Sequence, residues 1–463
     1  MWECEFFKSR SYNLYKDSVK ELQQPEMNYR NAYYGGRTEA FRLRADSTPG
    51  REIAYIDICS LYPTCLAFDS YPLGHPKKII KNPLKYDENW FGVVHCSILP
   101  PKDLYLPVLP FRVNTGKAEK LVFPLCRTCA ETQTQKCAHN ENERSLTGTW
   151  ATIEIEKALS VGYKMIKIFE VHDFEKTNDL FKEYIFKFMK VKLESSPHNY
   201  PSNEAYAADI EKRQGIKLDL KNINPNPVKR TLAKGCLNQF YGRFGMKIEQ
   251  THTEYVSDPQ RFFEILTDDK LTDIDVLYLT DEMIQVNYKF KSEFLENRYE
   301  TNVLIALFTT AHARLRLYKT LEKLDQNIIY CDTDSIFYYK TASNAVKTGD
   351  LLGDWTDELG PGTFIQKFIA TAPKSYYYIT NTGKEVTKVK GFSLNFKTAQ
   401  KINGELLEKM IEKAVNHVKV EESRIERDKI TKNLCNRTVT KTFSFNFDKR
   451  CLATDYNTFP YGY

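Results

Sequence analysis

Ile328-Ile-Tyr-Cys-Asp-Thr-Asp-Ser-Ile-Phe-Tyr-Tyr339 runs apolar and aromatic on both sides of one acidic break. That pattern predicts a buried hairpin with Asp332 and Asp334 at its tip. Two carboxylates so close, partly desolvated, are tolerated mainly when a cation neutralises them, and hard oxygen ligands suit Mg²⁺ or Mn²⁺. An ordinary turn is the alternative, since Asp and Ser are common turn residues. A second stretch, Ala54-Tyr-Ile-Asp-Ile-Cys-Ser-Leu-Tyr-Pro63, has the same form. Its apolar strand delivers Asp57 and then turns at Ser60-Leu-Tyr-Pro63, where proline stops further pairing. If Asp57 meets Asp334 across the fold, the pair can hold two cations about 3.5 to 4 Å apart, an arrangement suited to phosphoryl transfer.

A helix is expected to begin near Pro227, a residue well suited to a first helical position. Within it Arg230, Lys234, Asn238 and Tyr241 follow one another at intervals of four, four and three. At 100° per residue they share a sector of about 80°. Two cations, an amide and an aromatic on one face can hold a triphosphate at one end and a base pair at the other; a solvated charged face is the alternative. Upstream, Leu180, Phe181, Tyr184, Ile185, Phe188 and Met189 recur at helical spacing, with Lys192 among the lysines elsewhere around the helix. A long helix, Asn302 to Leu324, leads into the Asp332/Asp334 hairpin.

The stretches around Asp57 and Asp334 together resemble the A and C motifs of family B DNA polymerases, DxxSLYP and YxDTDS. Ala233 to Phe244, AKGCLNQFYGRF, resembles the B motif, Tyr33-Tyr-Gly-Gly36 the YxGG element and Lys374-Ser-Tyr376 the KxY element. All five stand in the family's order. Gly74-His-Pro76, a cysteine cluster, Gly148-Thr-Trp150 and Pro460-Tyr-Gly-Tyr463 resemble the protein-primed branch, most of all polymerases of Polinton/Maverick-type mobile elements and related viruses.

This resemblance implies an α+β right hand with an antiparallel-sheet palm, helical fingers, a small thumb and insertions. Its expected divisions are a linker remnant (1–32), palm with YxGG and motif A (33–72), an insertion (73–171) and fingers with motif B (172–245). Palm with a second insertion and motif C (246–372) follows, then the KxY element and thumb (373–463). Asp57 and Asp334 would bind two Mg²⁺ or Mn²⁺ ions, with Asp332 tuning the catalytic site. Lys192, Arg230 and Lys234 would hold triphosphate, Asn238 and Tyr241 the nucleotide and base pair, and Tyr62 would reject a 2′-hydroxyl by bulk. Tyr33, Gly35 and Gly36 would touch template, and Lys374 and Tyr376 primer. Gln239 replaces the serine usual after this asparagine, which bears on fine positioning of the nucleotide. The implied partners of a monomeric chain are DNA template and primer, deoxynucleoside triphosphates and a priming terminal protein. Few residues precede Tyr33 and none form the acidic DxE element of an exonuclease, so no proofreading is expected, and the chain reads as a truncated product or one piece of a longer element.

Composition agrees. A chain of 463 residues predicts two to four subdomains. Its net charge of +6, from 66 basic and 60 acidic residues, leaves room for local basic surfaces. The 29 Tyr and 28 Phe supply core and stacking surfaces for bases. No apolar run reaches the ~20 residues of a membrane span, and the first residues lack a secretory pattern. The eleven cysteines are therefore expected as thiols or metal ligands inside the cell, with the nucleus as the expected compartment. Cys126-Arg-Thr-Cys129 followed by Cys137-Ala-His139 suits a structural Zn²⁺, with free thiols in a loop as the alternative. Thr251 to Tyr288 reads as acidic and loop-rich. The stretch 429–450, with six Lys/Arg to one Asp and alternating Phe443, Phe445 and Phe447, reads as a thumb strand with one face toward duplex. Two other readings stand beside this one: an RNA-directed polymerase, disfavoured because such enzymes usually carry adjacent Asp-Asp, and a decayed element that only binds nucleic acid.

Overall fold

The continuous apolar runs around Asp332 and Asp334 arise because both faces of their hairpin are covered. In the computed structural model, Ile328–Asp332 and Ser335–Lys340 pair antiparallel. Ile328, Cys331, Ile336 and Tyr338 pack with Leu317 and Leu321 on one side, while Ile329, Tyr330, Phe337 and Tyr339 pack with Phe368 on the other. Each large apolar side chain buried in this way contributes about 1.5–3 kcal/mol. The structure describes residues 27–114, 119–295, 301–428, 431 and 433–463. Most of the expected linker remnant, and Lys429 and Lys432 of the basic stretch, lie outside them.

The hairpin is the middle of a nine-stranded antiparallel sheet. Its main path runs Thr38–Ala40, Ile328–Asp332, Ser335–Lys340, Glu52–Ile58, Ile365–Ala372, Ser375–Thr380 and Glu385–Lys388. Trp355–Asp357 adds to Glu52–Ile58, and Arg44–Asp46 to Ile365–Ala372. Behind one face runs the helix Val303–Leu324, begun by the Asn302 side chain accepting from Ile305 N–H. Its inward stripe includes Leu307, Phe308, Ala311, Leu317 and Leu321. On the same stripe, buried Arg314 pairs with Glu154 at 2.8 Å and donates to the carbonyls of Tyr34 and Gly35. The cation is thereby fully engaged, which its burial requires.

The stretch expected as fingers holds three helices, Lys182–Glu194, Asn203–Gln214 and Pro227–Phe244. The stretch expected as an insertion before them holds a four-stranded sheet of Tyr71–Lys81, Lys164–Thr177, Gly92–Leu99 and Leu146–Ala151. Its strand Lys164–Thr177 crosses the expected boundary at residue 171, because the pairing partner Tyr71–Lys81 reaches as far as Thr177. The acidic segment after the fingers is no loop region. It folds as a three-stranded sheet with the helix Pro259–Thr267, its acids Asp273 and Asp275 standing on the exposed face of an alternating strand. The high charge of the segment masks that period in the sequence.

The thumb also differs from expectation. Ser375–Thr380 and Glu385–Lys388, in the stretch expected as KxY element and thumb, are strands of the central sheet, and His417–Arg427 with Leu434–Ser444 forms a separate hairpin. Arg450, expected on a duplex-facing surface, is buried beside Glu39 and over the Phe41 ring. The chain then turns back, pairing Cys451–Leu452 with Thr458–Phe459 against the palm edge.

Candidate active site

Strand pairing brings the two expected acids together. Ser335 pairs with Asp57 across the central strands, and Ile58 N–H donates to Asp334 C=O at 2.8 Å. The turn between Asp332 and Ser335 holds only Thr333 and Asp334, with Thr333 in the left-handed region at φ +61°. Few β-branched residues adopt that conformation unaided. Here Thr333 N–H donates to Arg37 C=O at 2.7 Å, and Gly36 lies so close that a Cβ there would stand 2.8 Å from the Thr333 side chain. Glycine at position 36 thus serves the acidic turn directly. Tyr33 packs at the fingers, against Gly245, and Gly35 has nothing within 4 Å of a would-be Cβ.

The other acid leaves its strand at Ile58, passes through left-handed Ser60 at φ +53°, and enters the helix Leu61–Phe68. Pro63 lies in the first turn of that helix rather than in a simple turn, as its missing N–H allows. This places Tyr62 against Tyr241 of the fingers, ring centroids 4.1 Å apart.

Between palm and fingers opens a cavity of about 480 Å³. Asp57 and Asp334 line its floor, and Lys192, Arg230, Lys234, Asn238 and Tyr241 line its fingers wall. The four-residue spacing thus gathers the expected side chains of Pro227–Phe244 on one face. Lys192 arrives from the neighbouring helix, its Nζ 3.3 Å from Ser60 Oγ. Burial depresses its basicity, and Arg230 and Lys234 add to the effect.

The floor is electrostatically strained. Burial, then the charges of Asp334 and Glu358, push the Asp57 carboxyl up to about 7. Burial likewise pushes Asp334 up to about 6, with Asp332 adding to the rise. Carboxyls resisting ionisation near neutral pH, with a third acid beside them, form an oxygen donor set that fits divalent cations. Glu358 and Thr356 escaped the sequence reading. They follow Gly349-Asp-Leu-Leu-Gly-Asp-Trp355, and a three-residue strand, Trp355–Asp357, is too short to show a period.

Asp332 is not among the residues that line the cavity. Its Oδ1 accepts from Thr38 Oγ1 at 2.8 Å, Lys374 Nζ at 2.6 Å and Thr333 Oγ1 at 3.2 Å, so it braces the turn. Tyr376, expected at the primer, is 5% exposed and packed on Phe368.

Remote from this cavity, Cys126, Cys129, Cys137 and His139 converge, their ligand atoms all within 4.8 Å of one another. His139 Nδ1 stands 3.5, 3.2 and 3.8 Å from the three sulfurs in that order. A tetrahedral zinc ion with ordinary bond lengths separates sulfur from nitrogen by about 3.5 Å. The donor set therefore fits such an ion.

A family model described as DNA polymerase type B, organellar and viral, matches residues 4–327. A probable DNA polymerase of Ascobolus immersus is 26% identical over 330 residues, covering 71% of this chain and 22% of that protein. A probable DNA polymerase of Neurospora intermedia is 23% identical over 338 residues, covering 71% and 29%. The chain thus spans less than a third of the length of these relatives. Among solved structures, Phi29 DNA polymerase complexed with primer-template DNA superimposes with a TM-score of 0.57 at 16% identity, over 94% of this chain and 65% of that one. The likeness places the chain in the polymerase fold, and its coverage extends past residue 327, where the family match stops.

Proposed function

The chain belongs to the organellar and viral type B DNA polymerases, and on that premise we propose that it adds deoxynucleotides to a 3′-hydroxyl under direction of a DNA template. One observation carries the reading: Asp57 and Asp334, 277 positions apart in sequence, meet on the floor of a cavity walled by Lys192, Arg230 and Lys234.

The acids of the floor would hold the divalent cations. When bound, these ions would lower the pKa of the attacking hydroxyl and neutralise charge on the transferring phosphoryl group and the departing pyrophosphate. Lys192, Arg230 and Lys234 would grip the triphosphate oxygens, with Arg230 already steadied by Ser196 Oγ at 3.2 Å. Tyr62 and Tyr241, packed together, would floor the sugar and stack beneath the base pair. The bulk of Tyr62 would exclude a 2′-hydroxyl. Asp332, fixed by Thr38 and Lys374, would keep Asp334 in place and remain outside the metal shell.

The finer reading extends to protein-primed replication of a mobile or viral element by a monomer inside the nucleus, with zinc held by Cys126, Cys129, Cys137 and His139. Its support is the resemblance of the motifs and the geometry of the thiol cluster. The primary test is primer extension with Mg²⁺ by the purified chain and by Asp334→Ala. Loss of extension in the variant is expected. Equal extension by both, or none by the parent chain on DNA templates, overturns the proposal.

A further inference from the structure

Thr38–Ala40 is the outermost strand of the central sheet on the side of the acidic turn, with Thr38 opposite Asp332. An outer strand leaves a row of backbone groups without partners. Residues 449–463 cover that row. Thr458 N–H donates to Phe41 C=O at 3.0 Å, Thr458 Oγ1 to Ala40 C=O at 2.7 Å, and Leu43 N–H to Tyr456 C=O at 2.8 Å. Lys449 Nζ donates to Thr38 C=O at 3.2 Å. Beside it Arg450 and Arg37 both face Glu39, all three almost wholly buried, so displacing the segment would strand charge in the core.

The other end of the same segment grips the thiol cluster. Leu125 N–H and Cys126 N–H both donate to Tyr461 C=O, at 2.7 and 3.1 Å. Gly462, at φ +92°, lies so close that a Cβ would stand 2.4 Å from Cys126 Cβ. Cys451 Sγ donates to Thr134 C=O at 3.6 Å, and Lys120 pairs with Asp448, whose carbonyl accepts from Tyr461 Oη. The cluster loop itself contains only the short helices Arg127–Thr132 and Glu141–Arg144. Helices of that length do not hold their shape unaided, and a zinc ion in a three-thiol, one-imidazole site supplies folding energy outright.

We propose that residues 449–463 are a strap that couples the Cys126/Cys129/Cys137/His139 site, loaded with zinc, to the position of Asp332. Zinc orders the loop, the loop anchors Tyr461 and Gly462, the strap holds Thr38–Ala40 on the sheet, and Thr38 Oγ1 holds Asp332. Thr38 is then a positioning residue for the acidic turn. The effect on turnover rests on the polymerase reading above; the mechanical coupling rests on these contacts alone.

The experiment uses the full chain, with zinc content measured by mass spectrometry and amide hydrogen exchange followed with zinc bound and after chelator treatment and transfer into Mg²⁺. One zinc per chain is expected. Its removal should speed exchange at Leu125, Leu43 and Thr458 while leaving the helix Pro227–Phe244 unchanged. It should also lower kcat for nucleotide addition about tenfold, the worth of one hydrogen bond to a charged group, with KM for the nucleotide unchanged. Gly462→Val should reproduce the faster exchange with zinc still bound. Thr38→Val should reproduce the kcat loss without altering exchange at Leu125, and Thr38→Ser should restore the rate. A chain that binds no zinc, zinc removal that leaves Leu43 and Thr458 exchange unchanged, or a loss confined to KM overturns the proposal. Should the chain synthesise no DNA at all, the polymerase reading falls, and the exchange measurements still decide whether the strap couples the two sites.

Discussion

Replacing Asp57 with Asn removes one charge from the cavity floor and keeps the size of the side chain. The carboxyl of Asp57 rises from 3.8 to about 7, so holding it ionised costs about 4 kcal/mol at 1.36 kcal/mol per pH unit. Part of the group faces solvent and part of the rise is shared with Asp334, which reduces the net cost to about 2 kcal/mol. A carboxyl with a raised folded-state pKa leaves the folded chain binding more protons than the unfolded chain between pH 3.8 and about 7. Stability therefore falls as pH rises through that window; the penalty is absent below it and complete above it.

Asn at position 57 is thus expected to stabilise the metal-free chain by about 2 kcal/mol at pH 8, and progressively less as pH falls toward 4. At roughly 2 cal/mol/K of unfolding entropy per residue, the whole chain shifts in Tm by about 2 °C, more if the palm melts separately. Thermal unfolding in chelator at pH 8 and pH 5 measures this directly. With Mg²⁺ present the order should invert, because only the parent chain gains a ligand, and primer extension by the variant should be lost. A variant less stable than the parent in chelator at pH 8, or a gain equal at both pH values, would refute the cost of holding a partly buried, crowded charge on the cavity floor.

Three further changes probe two other residues of the cavity lining and the acidic turn behind it. Tyr62→Val should lower discrimination against ribonucleotides by about tenfold or more, read as the ratio of kcat/KM values for the two sugars; an unchanged ratio removes Tyr62 from the sugar-selecting role. Lys234→Ala removes one charge-assisted contact and should raise the nucleotide KM by about 10- to 100-fold, with steady-state titration as the check and an unmoved KM as the contrary result. Gly36→Ala inserts a methyl group 2.8 Å from the Thr333 side chain. It should cost about 1–3 kcal/mol of stability and lower kcat together, measured by denaturant unfolding and single-nucleotide addition; full activity would show that the turn yields freely.

Legibility in the sequence followed the range of the interactions. The hairpin at Asp332/Asp334 was readable because both of its faces are covered, so nearly every strand residue is apolar. The face shared by Arg230, Lys234, Asn238 and Tyr241 was readable because helical geometry is local. Glu358 was not, since its place depends on three residues joining a strand nearly 300 positions upstream. Neither was the return of residues 449–463, where the deciding contacts are Arg450 with Glu39 and Tyr461 with Leu125. A buried arginine looks in sequence like any surface cation. The burial of Tyr376 against Phe368 is likewise set by tertiary packing that Lys374-Ser-Tyr376 does not show.

Two breaks of the usual backbone rules flank the two acids. Asp57 is followed three residues on by left-handed Ser60, and Asp334 is preceded by left-handed Thr333, neither of them glycine. Such conformations cost on the order of 1–3 kcal/mol each and persist only where surrounding contacts over-determine them. Those contacts are present: Thr64 N–H donates back to Ser60 C=O at 2.9 Å, Thr333 N–H to Arg37 C=O, and Arg314 ties the adjacent Tyr34 and Gly35 carbonyls to Glu154. The separation of the acids is therefore set by backbone hydrogen bonds between neighbouring strands, with rotamer choice secondary. It follows that neutralising either acid should relieve repulsion without collapsing the cavity, whereas disturbing Gly36, Arg314 or Thr38 should move the acids while leaving their charge intact. Stability and turnover should then separate, rising and falling in opposite directions for Asp57→Asn and falling together for Gly36→Ala.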